Sequence, residues 1–425
     1  ARAAFDIGLW LALIVVFGVL AALTAWSWWS IPILLVYGAL YGGASDSRWH
    51  ECGHGTAFRA RWANEVVYYI ACFMLFRGPT VWRWSHYRHH TDTIIKGRDA
   101  EIVFQRPPSV GRALFAYTHL QGGTQMFWRL VKHAFGQLDD DAKEFVPESE
   151  WRKVVWESRV MVAVIAGAAA WSIIAWTPLP ILLVGAPTIY GAWLVVFFGI
   201  TQHAGMRENV LDHRYNSRTV YMNPVFRWLY LNMNYHVEHH IFPGVPYHAL
   251  PALHEEIKDS LAPALPNTMA AYRELLGALR EQERDPSYEI PDRGVPEVAS
   301  AGVDPIDVGP MVPDQLKAGE HADLGPISAV PVGQARRVDV GGRTYALYRL
   351  DETAVALSDG LCTHGQAHLA EGLVLEGCIE CPKHNGRFDL QTGAPARKPV
   401  KEPLQMYHCN IVDGRVIADL TGPEE

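Results

Sequence analysis

Two long runs of residues without a charged side chain limit the folds that are open to this chain. They cover residues 7–45 and 160–206. A helix needs roughly 20 apolar residues to cross a bilayer, so each run has room for two spans. Turns that contain tryptophan and proline interrupt the runs at residues 26–32 and 176–180, and tryptophan is enriched where membrane meets water. The pattern therefore predicts two helical hairpins, which amount to four transmembrane helices.

The arginines between the two hairpins predict the side of the membrane on which this segment lies. They include Arg48, Arg59, Arg61, Arg83, Arg88, Arg98, Arg106 and Arg112. Loops rich in Lys and Arg stay in the cytoplasm, so both hairpins return to that side. We therefore expect an integral protein of the bacterial inner membrane, in which the cap that contains this segment and the C-terminal domain are both cytoplasmic.

Shorter segments complete the prediction for this part of the chain. Apolar residues 66–76 are too few to span and predict an interfacial or re-entrant segment. Amphipathic helices are expected within 108–157 and a helix over about 250–283. No cleavable signal peptide is expected, because the first apolar run is too long and continues into a second span. The chain begins at Ala1 rather than Met, so part of the natural N-terminus is expected to be missing.

Histidines are clustered beside the apolar runs. The clusters are His50 with His54, His86 with His89 and His90, and His236 with His239 and His240. If the second helix continues past Ser45, His50 and His54 share one face, because residues four apart on a helix point the same way. Ionisable side chains at membrane depth are costly and tend to be functional. The clusters therefore predict a metal site, and His203, at the end of the fourth predicted span, is a further candidate ligand.

The remaining histidines are interpreted as interfacial or hydrogen-bonded side chains without a metal. They are His119, His133, His213, His248, His254, His321, His368 and His408.

A second metal signature lies near the C-terminus. It consists of Cys362-x-His364 and Cys381-x2-His384. In a Rieske [2Fe–2S] centre two cysteines hold one iron and two histidines hold the other, and this spacing resembles that site. A zinc site with two cysteines and two histidines is the alternative. Cys378, which forms a Cys-x2-Cys pattern with Cys381, is interpreted as a strand residue.

The surroundings of this signature predict β-structure. Residues 338–345 predict two short strands around a Gly-Gly turn, and residues 411–416 predict a second hairpin at Asp-Gly. Respiratory Rieske proteins have an extra disulfide, whereas Ala367 and Lys383 stand near the corresponding positions here. The segment therefore resembles the lower-potential ferredoxin kind, with Asn385 in place of a more usual glycine.

The iron–sulfur signature indicates which metal the histidine clusters hold. Imidazole binds Zn, Cu, Fe and Ni, but electron delivery is useless to redox-inert zinc. Two irons can accept electrons and activate O2. Metal-bound histidines usually donate their second N–H to a carboxylate or carbonyl. Asp46, Asp92, Asp212 and Glu238 are candidates for that orienting role, with surface charge or helix capping as the alternative.

The three histidine boxes resemble the membrane fatty-acid desaturase superfamily, which includes alkane hydroxylases and carotenoid ketolases, over roughly residues 5–260. The resemblance implies four spans under a cytoplasmic cap that holds two non-haem irons. It implies as ligands His50, His54, His86, His89, His90, His236, His239 and His240, and His203 matches an extra histidine before the third box. The first box, His-x3-His, is one residue shorter than in acyl-CoA desaturases.

Two further similarities narrow the resemblance. Residues 202–205 and 234–240 are most similar to the hydrocarbon-oxygenase branch typified by the rhizopine-catabolism oxygenase. That branch is associated with Rieske ferredoxins and is thought to attack a methyl ether. Residues 325–421 resemble bacterial Rieske ferredoxins, which here would replace the cytochrome b5 partner of other desaturases.

These observations predict a multidomain chain, with an all-α membrane domain followed by an all-β Rieske domain. Residues 1–283 form the di-iron oxygenase domain and residues 325–425 the Rieske domain. Residues 284–324 contain many prolines and predict either an extended linker or ordered coil. The segment is longer than most loops, which leaves both alternatives open.

The predicted activity is an O2-dependent monooxygenation in which the chain's own Rieske cluster delivers electrons. The substrate is a small organic molecule or a lipid, which would be hydroxylated or oxidatively demethylated; desaturation of a fatty-acyl lipid is the alternative. A separate ferredoxin reductase would supply electrons from NAD(P)H, since no Gly-x-Gly-x2-Gly fingerprint is present. No catalytic residue beyond the metal ligands is predicted.

Other classes of protein explain less of the chain. A quinol-oxidising electron carrier needs one anchor and no histidine boxes. A zinc-dependent membrane hydrolase or receptor leaves the Rieske signature without a role. No basic stripe indicates nucleic-acid binding. Homo-oligomerisation is left open, because the Rieske domain could serve its own active site or a neighbour's.

Overall fold

The computed structural model describes residues 2–95, 99, 101, 109–210, 212–291, 293–296, 321–364, 368–375, 377–381, 386–397 and 400–420. The chain forms two compact units, Ala1–Val298 and Ala299–Glu425. The described residues of the first unit are helical, and those of the second form antiparallel sheets. The predicted order of an all-α region followed by an all-β region is therefore confirmed.

The first unit is a set of helices joined by turns and coil. Their bounds are α1 Arg2–Leu23, α2 Ser30–Gly38, α3 Ser45–His54, α4 Arg61–Met74, α5 Pro79–Thr91, α6 Val110–Ala116, α7 Leu120–Ala134, α8 Asp140–Phe145, α9 Glu148–Ile174, α10 Leu179–Leu183, α11 Pro187–Tyr190, α12 Trp193–His203, α13 His213–Asn216, α14 Pro224–Leu229, α15 His236–Ile241, α16 Leu250–Ile257 and α17 Thr268–Arg284. A π-helical segment, Ala39–Gly43, joins α2 to α3, and a 3-10 turn, Lys258–Ser260, follows α16.

Both predicted tryptophan turns are present, between α1 and α2 and between α9 and α10. Trp26 and Trp176 adopt positive φ angles of 70° and 49°, and their side chains are 77% and 93% exposed. Among the described residues, α1 and α9 are the helices long and apolar enough to cross a membrane alone. Less than a third of either is buried, so their apolar faces point outward rather than into a protein core.

The helices after the two turns are interrupted, and they pack very closely. A Cβ on Gly191 would lie 1.9 Å from the carbonyl oxygen of Gly38, and a Cβ on Gly42 would lie 2.3 Å from that of Pro187. Such small residues let backbones approach, as is common between membrane helices. The crossing holds the π-helical segment, which leads into α3, beside α12. It thereby positions the ends of two elements that carry clustered histidines.

The single helix predicted over 250–283 is wrong, because the chain leaves the helix between α16 and α17. Pro263 and Pro266 lie in this interval, and proline has no N–H to donate and disfavours a helical residue before it. A new helix then begins at Thr268, where the Asn267 side chain accepts a hydrogen bond from the backbone N–H of Ala270 at 2.9 Å.

The described start of the Pro-rich segment is ordered coil that packs on the helical unit. Ile290 and Val295 are buried, and the backbone N–H of Ile290 donates to the Gly205 carbonyl at 3.2 Å. This agrees with the ordered-coil alternative for residues 285–291 and 293–296. Residues 292 and 297–320 of the predicted linker lie outside the described residues. The prediction of linker for residues 321–324 is wrong, because they form part of a strand, His321–Pro326, that pairs in a sheet.

The second unit contains three antiparallel sheets among its described residues. The strands are β1 His321–Pro326, β2 Ala335–Val340, β3 Arg343–Arg349, β4 Val355–Asp359, β5 Leu373–Leu375, β6 Cys378–Glu380, β7 Arg387–Asp389, β8 Pro395–Arg397, β9 Met406–Tyr407, β10 Cys409–Val412 and β11 Arg415–Asp419. The strand orders are β1-β11-β10, β2-β3-β4-β9 and β5-β6-β7-β8.

Both predicted hairpins are confirmed. Val340 pairs with Arg343 around two glycines whose φ angles are 58° and 79°. Val412 pairs with Arg415 around Asp413 and Gly414, whose φ angles are 49° and 74°. Two central residues with positive φ are typical of the type I′ turn, which matches the twist of antiparallel strands.

Candidate metal sites

Nine histidines from four helices meet in the interior of the helical unit. They form a five-histidine group and a four-histidine group, and in each group the candidate ligand atoms all lie within 4.8 Å of one another. The five-histidine group is His50, His54, His86, His90 and His239, and the four-histidine group is His89, His203, His236 and His240. The structure therefore brings together all nine histidines predicted as ligands. Helices α5 and α15 each contribute to both groups.

The facing ring nitrogens have the spacing that a shared metal ion requires. In the five-histidine group, the Nε2 atom of His86 lies 2.9 Å from that of His54 and 3.2 Å from that of His90. In the four-histidine group, the Nε2 atom of His236 lies 2.9 Å from that of His203 and 3.1 Å from that of His240. Two nitrogens bound at about 2.1 Å and at right angles around one metal are about 3.0 Å apart. The residues therefore fit two metal ions.

Most histidines of the cluster are also in the protonation state that metal binding needs. Burial, reinforced by the neighbouring imidazoles, holds the pKa of six members well below the usual histidine range, namely His50, His86, His90, His236, His239 and His240. Burial lowers the pKa of His54 to about 4. Neutral imidazoles keep an electron pair free for a metal.

Two carboxylates that the sequence analysis did not predict orient histidines of the two groups. Asp99 Oδ2 accepts the Nδ1–H of His89 at 2.9 Å. Burial by itself lowers the pKa of His89, but this carboxylate outweighs it and raises the pKa to about 9. Glu101 Oε2 lies 3.2 Å from the Nδ1 of His86. A carboxylate on the second nitrogen fixes the ring orientation and makes the ligating nitrogen more basic.

Neutral groups orient two more ligand histidines. The Nδ1 of His203 lies 2.9 Å from the carbonyl oxygen of Asn216, to which it donates. The Thr93 hydroxyl donates to the carbonyl of His89 at 2.5 Å and lies 3.1 Å from the Nδ1 of His240. Thr93 therefore links the second histidine box to the third.

The carboxylates proposed from the sequence act elsewhere. Asp46 accepts hydrogen bonds from Trp49 and Arg77 at 2.9 Å and 2.5 Å. Asp212 accepts from the backbone and side chain of Arg214 at the start of α13. In these bonds neither carboxylate contacts a histidine of the two groups, and the alternative of helix capping holds for Asp212, the N-cap residue of α13.

The other two candidates have similar outcomes. Asp92 lies 3.8 Å from the Nε of Arg88. Glu238 is fully buried and accepts hydrogen bonds from Thr219 and from His254, which is outside both groups. Glu238 supports the third histidine box without touching a ligand ring in these bonds.

Several isolated histidines have the hydrogen-bonded roles predicted for them. His119 Nδ1 lies 3.0 Å from the Thr188 carbonyl oxygen, and His133 Nε2 lies 2.8 Å from Asp139. His213 is closer to the centre than expected, with its ring centroid 5.0 Å from that of His240. It belongs to neither group.

The two cysteines of the C-terminal signature lie in loops between strands. Cys362 and Cys381 are 0% and 1% exposed and belong to one apolar cluster. The backbone N–H of Cys381 donates to Gly386 at 2.8 Å, which closes the loop between β6 and β7. His364 is partly exposed, and His384 lies outside the described residues.

Cys378 lies in β6, as predicted, where it pairs with Asp389. All six cysteines are in the described part of the chain, and none of them forms a disulfide. Ala367 and Lys383, from which the sequence analysis argued, lie outside the described residues.

Comparisons with known proteins assign both parts of the chain. The family model described as fatty acid desaturase matches residues 26–272. The chain belongs to the fatty acid desaturase family. The model of the Rieske [2Fe-2S] domain matches residues 321–408. This desaturase-family protein is therefore an O2-dependent oxidoreductase with a Rieske domain, and its family generally uses two irons.

Its C-terminal part is similar to ferredoxins. The anthranilate 1,2-dioxygenase ferredoxin subunit of Burkholderia cepacia is 46% identical over 97 residues, which are 23% of this chain and 89% of that protein. The ferredoxin component of the naphthalene 1,2-dioxygenase system of Pseudomonas aeruginosa is 39% identical over 92 residues, 22% of this chain and 88% of that protein. A solved complex of reduced oxygenase and oxidized ferredoxin in carbazole 1,9a-dioxygenase matches at 33% identity and a TM-score of 0.24, over 25% of this chain and 97% of the matched chain.

Proposed function

We propose that this protein is a membrane-bound non-haem di-iron monooxygenase with a fused electron carrier. It hydroxylates or oxidatively demethylates an organic substrate. The observation that carries the proposal is the pair of converging imidazole groups in the same chain as a Rieske domain. The proposed iron ligands are His50, His54, His86, His89, His90, His203, His236, His239 and His240. The proposed cluster ligands are Cys362, His364, Cys381 and His384.

The bound irons would accept electrons and activate O2, and the Rieske cluster would deliver those electrons singly. The chain's own residues supply the setting for this chemistry. Burial keeps water away from most of the imidazoles, and Asp99 and Glu101 hold the rings of His89 and His86 in place. A separate ferredoxin reductase that uses NAD(P)H is the proposed electron source.

We further propose that the helical unit spans the bacterial inner membrane four times. The spans are α1, α2 with the π-helical segment, α9, and the interrupted run α10 to α12. The outward apolar faces of α1 and α9 support contact with lipid, and the arginines between the hairpins support a cytoplasmic cap. The proposed domains are residues 1–283, a Pro-rich segment at 284–320 and the Rieske domain at 321–425.

Demethylation is favoured by the resemblance of the third histidine box to the rhizopine-catabolism branch. One atom of O2 would enter the methyl group and the other would leave as water, with two electrons and two protons consumed. The resulting hemiacetal separates into formaldehyde and an alcohol. Desaturation of an acyl lipid is the second candidate, which the family match over residues 26–272 favours.

Product analysis with the purified full chain tests the proposal. The protein is supplied with a ferredoxin reductase, NADH and O2, and is offered a methyl ether, a methylamine or an acyl lipid. We expect substrate-dependent formaldehyde from one of the first two classes. A new double bond without formaldehyde would instead establish the desaturase.

Three variants make the result specific. His239→Ala removes a proposed iron ligand and Cys381→Ser a proposed cluster ligand, and both should abolish NADH-coupled product. His248→Ala removes an exposed histidine outside both groups and should keep the wild-type rate. Undiminished product from His239→Ala would contradict the proposed site.

A further inference from the structure

The third histidine box lies on a helix that is too short to be stable without contacts to the rest of the protein. Helix α15 has six residues, His236–Ile241, and isolated helices of this length are unstable in water. Its histidines serve both metal groups, because His239 belongs to the five-histidine group and His236 and His240 to the four-histidine group. A small displacement of α15 therefore disturbs both groups at once.

A buried hydrogen-bonded network, Thr219–Glu238–His254–Tyr221, holds this helix from the side of Glu238. The Thr219 hydroxyl donates to Glu238 Oε2 at 2.5 Å, and the Nδ1–H of His254 donates to Glu238 Oε1. The Tyr221 hydroxyl is hydrogen-bonded to the Nε2 of His254 at 2.8 Å.

The network ties three segments together. Thr219 forms a β-bridge with Tyr235, directly before α15. Asn234 donates through its side-chain amide to the Val220 carbonyl at 2.8 Å. His254 is 3% exposed and lies on α16. The position of α15 is thus set from both sides, by the segment that contains Thr219 and by α16.

The carboxylate of Glu238 is a costly group to bury. It is 0% exposed, and within the described residues its ion-pair partner is His254 rather than an arginine or lysine. Burying a carboxylate lowers stability unless hydrogen bonds or a charged partner compensate for the lost hydration. An apolar side chain would fill this place at lower cost, so a role beyond packing is indicated.

We infer that Glu238 and His254 are positioning residues for the third histidine box. They act through α15, with no contact to the metals, and they hold His236, His239 and His240 in ligating geometry before metal binds. The inference rests on the proposed function only in taking these three histidines as ligands. Removing a direct hydrogen-bond partner of a ligand costs 10- to 100-fold in metal affinity, so for this more distant support we expect about tenfold.

Metal binding by the full chain tests the inference without any assay of activity. Protein depleted of iron at the histidine groups is dialysed against Co2+, and bound metal is counted per chain. The variants are Glu238→Ala, His254→Ala and Glu238→Gln. Glutamine keeps the shape, accepts from His254 through its oxygen and donates to the Thr219 hydroxyl through its amide. His248→Ala is the matched control, an exposed histidine that lies before α16.

The two alanine variants should bind both Co2+ ions about tenfold more weakly, with altered Co2+ absorption bands, whereas Glu238→Gln and His248→Ala should stay within about threefold of wild type. The thermal unfolding of the metal-free proteins is measured in parallel. If the alanine variants unfold at a lower temperature but bind Co2+ with wild-type affinity, the network only stabilises the fold and the inference is overturned.

Two further outcomes are decisive. If Glu238→Gln bound Co2+ as weakly as Glu238→Ala, the hydrogen-bonding role would be overturned, because the charge of Glu238 alone would then determine the Co2+ affinity. If the alanine variants do not fold, Thr219→Val removes one hydrogen bond at nearly constant shape and should weaken Co2+ binding, and unchanged binding would overturn the inference. A wild-type chain that does not bind two Co2+ ions would instead contradict the proposed function.

Discussion

Replacing Asp99 with asparagine tests whether a carboxylate that is hydrogen-bonded to a histidine determines the metal affinity of that histidine's group. Asp99 Oδ2 accepts two hydrogen bonds, from His89 Nδ1 and from the backbone N–H of Ile94, each at 2.9 Å. Its Oδ1 accepts the backbone N–H of Glu101, also at 2.9 Å. Asparagine has nearly the same shape but only one acceptor oxygen. In either orientation its NH2 group faces an N–H donor.

The bond count gives the size of the effect. If the amide oxygen takes the place of Oδ2, only the Glu101 N–H loses its acceptor. In the opposite orientation, the N–H groups of both His89 and Ile94 lose theirs. The first orientation is therefore favoured, and one unsatisfied buried donor costs about 1–3 kcal/mol. The bond that remains to His89 is weaker because it is no longer charge-assisted. Loss of such a partner lowers metal affinity by about 10- to 100-fold.

This loss should fall on one metal of the two. His89 belongs to the four-histidine group, so the Asp99→Asn chain should hold its second Co2+ weakly and retain the first. Co2+ binding by the full chain, counted per protein in equilibrium dialysis, measures both affinities. Asp212→Asn is the matched control, since Asp212 pairs with Arg214 and is 38% exposed. Equal retention of both ions in Asp99→Asn, or equal weakening in Asp212→Asn, would refute the reasoning.

Three other predictions follow from the same contacts. Gly191→Ala places a Cβ 1.9 Å from a backbone oxygen and should lower the free energy of unfolding by about 1–3 kcal/mol, which is measured as a lowered unfolding temperature in detergent. Gly199→Ala is the control, because Gly199 lies in α12 with nothing within 4 Å of the added Cβ, and it should not lower the unfolding temperature. Equal unfolding temperatures for the two variants would exclude the close crossing of the helices. His203→Ala leaves three histidines in its group, whereas His54→Ala leaves four, so metal analysis should show the larger loss for His203→Ala. Cys362→Ser should abolish the visible and EPR signals of the Rieske cluster and leave Co2+ binding by the histidine groups intact. Cys378→Ser is the control and should keep the cluster signals. Cluster signals in Cys362→Ser would show that Cys362 is not a cluster ligand.

The orienting carboxylates show where reasoning from sequence stops. The sequence offers Asp46, Asp92, Asp212 and Glu238 as candidates for this role. The carboxylates that reach ligand rings, Asp99 and Glu101, lie 10 and 15 residues beyond their partners. Asp46 instead turns to Arg77, which also stacks 4.5 Å from the ring of Trp49. A side chain's direction depends on its packing partners, which sequence distance does not give.

The helices show the same division. The two tryptophan turns and the two β-hairpins follow from local residue types, and the structure contains them. The interruption between α16 and α17 was foreseeable from Pro263 and Pro266. The close crossing of Gly191 on Gly38 could not be foreseen. The two glycines are 153 residues apart in the chain, from 38 to 191, and nothing in the sequence shows that their backbones meet.

The amino-acid sequence by itself determined the kinds of element and which histidines and cysteines are candidates for metal binding. Apolar run length, turn composition, and the spacing of histidine and cysteine act over a few residues, where chain geometry limits the outcomes. The tertiary structure alone decided how nine histidines divide into groups of five and four, which carboxylates orient them, and how Glu238 supports α15. Those relations depend on contacts between segments far apart in the chain, and burial fixes them by making each unpaired polar group costly.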